Sequence, residues 1–157
     1  MPPTASLPAP AAELESKALA AEQAGRFDEA LALWRRLLDD APNHARALTA
    51  SGYDAQRRGD LNAARQLLSR AAAAASDDPT PWINLARLCR LQHDDPGEEE
   101  ALFQALSIDP GDLLALLLRG QYFERHGRAQ DAVRAYTAAT LVAPPADRLR
   151  PDLRAQI

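Results

Sequence analysis

The chain repeats itself with a period of 34 residues. Gly25 and Gly59 are 34 positions apart, and so are Pro110 and Pro144. Four repeats align without a gap when they are taken as 11–44, 45–78, 79–112 and 113–146. A unit this short cannot bury an apolar face by itself, so the period predicts a stacked array in which neighbouring repeats share a core.

The columns of this alignment predict two helices joined by a turn. Position 15 is glycine in three repeats and His93 in the third, which is typical of a turn with positive φ. Position 8 is always small, as expected where two helices approach closely, and position 24 is bulky, as expected where a side chain fills the groove between hairpins. The residues at position 8 are Ala18, Gly52, Ala86 and Gly120, and those at position 24 are Trp34, Leu68, Leu102 and Tyr136.

This pattern resembles the tetratricopeptide repeat (TPR) family, whose helix–turn–helix unit has about 34 residues and small side chains at these columns. The resemblance covers 11–146 and is clearest in GRFDEALALWRRLLDDAP of the first repeat and GRAQDAVRAYTAATLVAP of the fourth. It implies an all-α fold, a right-handed solenoid of four helix–turn–helix repeats. Residues 1–10 are expected to be disordered, and 147–157 to form a loop and the start of a C-terminal capping helix.

Repeats two and three depart from the pattern. Ser76 replaces the proline of position 32, so we expect the second helix of repeat two to extend by a residue or more. In repeat three, Asp95 is predicted to be the N-cap of the second helix, and the acidic run 98–100 to complement the helix dipole. Glu98 stands where the other repeats have alanine, so this helix is expected to start in an altered way and to rejoin the register by Leu102.

Composition narrows the function classes. A formal net charge of −4 and a pI of about 5.3 argue against nucleic-acid or anionic-membrane partners. Cys89 is the single cysteine, which excludes a disulfide framework and a thiolate metal site and favours a core position. No signal peptide or membrane-spanning stretch occurs in the sequence, and a cytoplasmic location is expected.

The histidines are the candidates for catalysis. His93 and Asp95 form an H-x-D pair, and two histidines with a carboxylate are the ligand set of non-haem iron(II) oxygenases. However, the register places His93 and His126 in the turns of repeats three and four, so both are predicted to be exposed. We therefore expect no metal site, no cofactor and no enzymatic activity in this segment. Four aromatic side chains occupy helical packing positions and are predicted to lie in the core: Phe27, Trp34, Trp82 and Tyr136.

One face of the first helices is the candidate binding site. The TPR resemblance implies that positions 2, 5, 6, 9, 12 and 13 of each repeat line a concave groove, and helical spacing makes these positions one stripe. The predicted groove residues are Arg46, Tyr53, Arg57, Asn84, Arg87, Arg90 and Gln121. Because arginine forks suit carboxylates, we expect an extended, acidic or carboxyl-bearing peptide, with its backbone held by Asn84. The alternative is a solvated face with intrahelical ion pairs.

Repeat four offers a different surface. Leu114, Leu117 and Leu118 lie on the same stripe, and some of them are expected to be exposed unless a partner, a terminal helix or another subunit covers them. These leucines motivate the alternative of a self-associating scaffold, and the sequence leaves the oligomeric state open.

Repeats three and four carry a narrower resemblance. These repeats look like the TPR region before the catalytic domain of bacterial aspartyl/asparaginyl β-hydroxylase-family proteins. The residues that carry the resemblance are WINLARLCRLQHDDPGEEEALFQALSIDPGDLLALLLRG, followed by VAPPADRL. The catalytic part of that family is an iron(II)- and 2-oxoglutarate-dependent double-stranded β-helix, and this chain contains no such strand pattern. The resemblance implies a docking domain of a hydroxylase, with a free-standing adaptor as the alternative.

Overall fold

The computed structural model describes residues 9–144, and every regular element within them is an α-helix. The helices are α1 (Ala9–Gln23), α2 (Phe27–Asp40), α3 (Ala45–Arg57), α4 (Leu61–Ala74), α5 (Thr80–Leu91), α6 (Asp95–Ile108), α7 (Leu113–Arg125) and α8 (Ala129–Val142). The predicted all-α helical-repeat fold is therefore confirmed for this part of the chain. The predicted capping helix lies outside the described residues, and α1 begins two residues inside the stretch predicted to be disordered. None of the described helices is long and apolar enough to cross a membrane.

The chain divides into two compact units, 1–75 and 76–157. Helices α1 to α4 belong to the first unit, and α5 to α8 belong to the second. In each unit the two helices of a hairpin pack against each other, and the second helix of one hairpin packs against the first helix of the next. Trp34 and Leu37 lie fully buried in the first unit, and Leu88 and Leu102 in the second, where Cys89 is also buried as predicted.

The second helices all start and end at the same columns, which corrects two expectations. Helix α6 begins at Asp95, the column at which α2, α4 and α8 begin, so its start is not altered. Helix α4 is not extended, because Ala75 leaves the helix with φ −108° and ψ 95°. Asp109 adopts nearly the same conformation after α6, with φ −128° and ψ 97°. The backbone at this column therefore ends the helix whether or not proline follows.

Four of the described helices begin with a side-chain cap. The N-cap of α6 is Asp94, not Asp95 as predicted, and its carboxylate accepts a hydrogen bond from the Gly97 N–H at 3.0 Å. Asp60 and Asp112 cap α4 and α7 in the same way. His44 caps α3 through its ring, because Nδ1 accepts a hydrogen bond from the Ala47 N–H at 3.2 Å. Each cap satisfies one N–H group that the first turn of a helix leaves unpaired.

Two of the hairpins show how a bulky side chain closes over a small residue. A Cβ added to Gly52 would lie 2.8 Å from Leu68 Cγ, and one added to Gly120 would overlap the ring of Tyr136. The bulky residue at position 24 therefore packs over position 8 of its own hairpin. A larger residue at position 8 would separate the two helices, because cores pack too densely to absorb it.

Position 15 needs a left-handed backbone in every repeat. The φ angles are 71° at Gly25, 81° at Gly59 and 68° at Gly127, and His93 takes 57°. No atom lies within 4 Å of a Cβ added at the three glycines, so the requirement comes from backbone conformation and not from lack of space. His93 satisfies the turn with a conformational penalty of about 1 kcal/mol.

Glu98 is a buried carboxylate in the second unit. It occupies position 20, where the other repeats have alanine, and only 2% of its surface is exposed. It belongs to the first turn of α6, as the predicted dipole interaction requires, but it is not a solvated residue. Its Oε1 accepts a hydrogen bond from Arg125 Nη2 at 2.6 Å, and its buried Oε2 has no partner among the described residues. Glutamate can replace alanine at position 20 because the guanidinium of Arg125, on α7, compensates its charge.

We expect opposite effects from exchanging the turn residues of repeats three and four. Gly127→Ala should lower the free energy of unfolding by about 1 kcal/mol, because alanine disfavours positive φ. His93→Gly should raise it by about 0.5 kcal/mol, since the strain removed is partly offset by greater freedom of the unfolded chain. Urea unfolding followed by circular dichroism measures both changes. Destabilisation by His93→Gly would contradict the interpretation.

We expect Arg125→Ala to lower the free energy of unfolding by roughly 3 kcal/mol, because it leaves a buried carboxylate without its counter-charge. Adding Glu98→Ala should then recover more than half of that loss, since it removes the charge and restores the residue of the other repeats. Arg128→Ala removes exposed ion pairs with Glu99 and Asp131 and should destabilise the chain much less than Arg125→Ala. Thermal and urea unfolding of the three variants measure these differences. A double variant that is less stable than Arg125→Ala alone would refute this account.

Candidate functional site

Helices α2 and α3 of the first unit enclose an open pocket of about 510 Å³, here called the α2–α3 pocket. Its apolar walls are formed by Phe27, Ala30, Leu31 and Trp34 of α2 and by Ala50 and Tyr53 of α3. Its rim is charged and consists of Glu22, Asp28, Asp54 and Arg57. Two predicted groove residues, Tyr53 and Arg57, thus share one pocket with apolar residues of the neighbouring second helix.

Phe27 lies outside the core, and the prediction that it is a core residue is wrong. As much as 66% of its surface is exposed. Phe27 is the first residue of α2, and helical side chains lean towards the N-terminus, so its ring projects beyond the start of the helix. Trp34 is buried as predicted, whereas Trp82 and Tyr136 are half-buried. Tyr53 is 46% exposed, as a groove residue should be.

Arg46 is exposed and forms an ion pair within its own unit. Its Nη2 donates to Glu22 Oε2 at 2.7 Å, and its guanidinium lies 5.8 Å from the centre of the Trp34 ring. Trp34 Nε1 donates to the other oxygen of Glu22 at 2.7 Å. Arg46, a predicted groove residue, therefore already has an internal partner in Glu22.

The remaining rim charges differ in their partners. Asp54 Oδ2 accepts hydrogen bonds from Arg35 and Arg58, each at 2.8 Å. Arg57 is exposed and forms no ion pair or hydrogen bond with the described residues. Its guanidinium donors are therefore available to a ligand.

The other predicted groove residues lie in the second unit. Asn84 is half-buried and Arg87 is exposed on α5, and Arg87 has no ion pair or hydrogen bond among the described residues. Arg90 Nη1 donates to Gln121 Oε1 at 3.0 Å, which joins α5 to α7. The structure thus brings Arg90 and Gln121 together and leaves Arg87 unpaired within the described part of the chain.

The leucines of repeat four do not form an exposed face. Leu117 and Leu118 are buried, and Leu114 is half-buried. The expectation that some would be exposed is wrong for Leu117 and Leu118, because they pack inside the second unit. The exposed large apolar residues of the last described helix are Val133, Leu141 and Val142.

The second unit has its own groove of about 320 Å³ between α6 and α7, here called the α6–α7 groove. Its charges already have partners inside the unit: Glu99 accepts hydrogen bonds from Arg128 at 2.9 Å and from the Tyr122 hydroxyl at 3.2 Å. The Arg119 guanidinium lies 5.3 Å from the centre of the Phe123 ring. This groove offers fewer free polar groups to a ligand than the α2–α3 pocket.

The two histidines considered for catalysis are exposed, as the register required. Asp95 contacts His126 and not His93 as the H-x-D pairing suggested, with 3.2 Å between Asp95 Oδ2 and His126 Nε2. His126 Nδ1 lies 2.7 Å from the Tyr122 carbonyl oxygen, and its ring stacks on the Tyr122 ring. The bond to that carbonyl and the Asp95 carboxylate raise the pKa of His126 above its ordinary value of 6.5. Within the described residues, no group of three His, Cys, Asp or Glu side chains could hold a metal ion.

Repeated helical hairpins with an exposed cleft between neighbouring helices define the class of helical-repeat interaction proteins. The chain belongs to the tetratricopeptide repeat family, whose profile matches 16–79 and 49–112, more than half of its 157 residues. No curated protein matches the chain significantly.

Several solved structures share the fold. MamA from Desulfovibrio magneticus RS-1 is 20% identical with a TM-score of 0.67, over 84% of this chain and 75% of that one. YrrB, a TPR protein with an unusual peptide-binding site, is 18% identical with a TM-score of 0.66, over 85% and 70%. A thermophilic TPR protein from Thermus thermophilus is 18% identical with a TM-score of 0.69, over 87% and 76%. At these identities the likeness shows the fold alone.

The raised pKa of His126 makes part of the stability depend on pH. Because the folded-state pKa lies above the unfolded one, the contribution is fully present below about pH 6.5 and is lost as the pH rises through the folded-state pKa. The loss of melting temperature caused by His126→Asn should therefore be larger at about pH 5.5 than at about pH 8.5. A loss that grows with pH would contradict the assignment.

Proposed function

We propose that the chain is a peptide-recognition module that binds carboxylate-bearing segments of a partner protein. The observation that carries this proposal is the state of two arginines at predicted groove positions, Arg57 in the first unit and Arg87 in the second. Both are exposed and without ion pairs among the described residues, whereas Arg35, Arg46 and Arg125 are all paired with internal carboxylates. Because the protein is acidic overall, we expect a carboxylate of a ligand to bind at arginines that have no carboxylate partner within the protein.

The chemistry of these side chains suits an extended peptide. A guanidinium presents its N–H donors in a fixed fork that matches the two oxygens of a carboxylate. Asn84 supplies an amide, which can both donate to and accept from a peptide group. Arg90 donates a hydrogen bond to Gln121, which orients its guanidinium.

More specific functions have less support than peptide recognition. Docking for an aspartyl/asparaginyl β-hydroxylase-like protein is supported only by the sequence resemblance of repeats three and four, and it stays a prediction, as does the cytoplasmic location. Self-association was suggested by an exposed leucine face in repeat four, but Leu117 and Leu118 are buried. A free-standing adaptor and a docking region would use the same groove residues.

We expect display selection on the wild-type chain to enrich peptides that contain Asp or Glu. At least one of the single variants Arg57→Glu and Arg87→Glu should lower the affinity for the selected peptides at least about tenfold, because like charges at a carboxylate site repel. Fluorescence anisotropy measures these affinities. Arg36→Glu is the matched control, since Arg36 is also exposed and unpaired among the described residues but lies off the predicted stripe. The three single variants change the net charge equally.

Two results would contradict the proposal. One is a selection that enriches no peptide. The other is a loss of affinity in both groove variants that does not exceed the loss in Arg36→Glu, which would reduce the effect to net charge.

A further inference from the structure

The α2–α3 pocket exposes aromatic surface from two different helices. Phe27 at the start of α2 and Tyr53 on α3 are both exposed to solvent and line the same space. The pocket volume of about 510 Å³ lies within the range of ligand pockets, which are mostly apolar with a few placed polar groups. A single large side chain fits a space of this size.

The polar groups beneath the pocket already have hydrogen-bond partners. Trp34 is fully buried, and its indole N–H is bonded to Glu22 at 2.7 Å. Its ring stacks on His44 with 5.7 Å between centroids and 22° between planes. Glu22 is in turn neutralised by Arg46. A polar ligand group placed over these residues would lose its hydration without gaining a partner, so this part of the pocket favours an apolar group.

The charges at the rim determine where a carboxylate of the ligand can lie. Asp28 lies in the first turn of α2, where the helix dipole favours an acid, and it forms no ion pair with the described residues. Arg57 ends α3 and is likewise unpaired, whereas Asp54 is already bonded to two arginines. An incoming carboxylate is therefore attracted at Arg57 and repelled at Asp28.

From these contacts we infer that the α2–α3 pocket receives a bulky apolar side chain of the partner segment, with a carboxylate of that segment next to it at Arg57. The inference rests on the proposed function and names its ligand class: a peptide in which Phe, Leu, Ile or Trp adjoins Asp or Glu. Phe27 and Tyr53 form the exposed walls around the anchor, and the fully buried Trp34 lies beneath them.

The test uses two peptides on the full chain, acetyl-Gly-Ser-Phe-Glu-Gly-Ser-amide and the same peptide with alanine in place of phenylalanine, with affinities measured by NMR titration. The wild type should bind the phenylalanine peptide at least about tenfold more tightly, as expected for burial of one large apolar side chain. Phe27→Ala should remove most of that preference. Phe103→Ala, at an exposed phenylalanine of the α6–α7 groove, is the matched control and should retain it.

The outcomes separate this inference from the proposed function. Phe27 is exposed, so its variant should fold normally, and Tyr53→Ala provides a second variant at a less exposed wall. If both variants keep the wild-type preference, or if the wild type shows none, the anchor inference is wrong. In that case the proposed function still stands if both peptides bind and Arg57→Glu or Arg87→Glu weakens that binding. If neither peptide binds and selection enriches none, both fail.

Discussion

The packing of a bulky side chain over a small residue sets how closely the two helices of a hairpin approach. Gly52 lies against Leu68, and Gly120 lies against Tyr136, at distances that leave no space for a Cβ. The same approach brings the helix ends near enough for a short turn to join them. Side chains one helical turn apart then share a face of the hairpin. The closure of the hairpins therefore limits which faces of the helices a partner can reach.

Charge pairing then decides which of the exposed positions remain free. In the first unit, Glu22 accepts hydrogen bonds from both Trp34 and Arg46, so one of the predicted groove arginines already has an internal partner. In the second unit, Arg125 compensates the buried Glu98 and allows a charged residue at a column that otherwise holds alanine. Arg57 has no such internal partner among the described residues, and this distinguishes it from Arg46 on the same helix.

Backbone periodicity made much of the fold predictable. Repeat boundaries, turn positions and small-over-bulky columns follow from residue spacing alone, and even His93 adopts positive φ where the turn requires it. Contacts that depend on side-chain reach were not predictable in this way. Arg46 pairs with an acid 24 residues earlier in the chain, and no local pattern signals that contact. Phe27 was misassigned because an apolar residue at a helical spacing indicates core, although the first residue of a helix projects past its own end. That position at a helix start was the one available signal.

Binding of a partner segment at the α2–α3 pocket can be observed in a two-dimensional ¹H–¹⁵N NMR spectrum of the isotope-labelled chain, recorded with and without a selected peptide. A Trp82→Phe variant assigns the Trp34 indole N–H. If the segment occupies this pocket, the Trp34 indole signal and the amides around Phe27 and Tyr53 should shift most. Shifts concentrated around the α6–α7 groove, with the Trp34 signal unchanged, would contradict binding at the α2–α3 pocket.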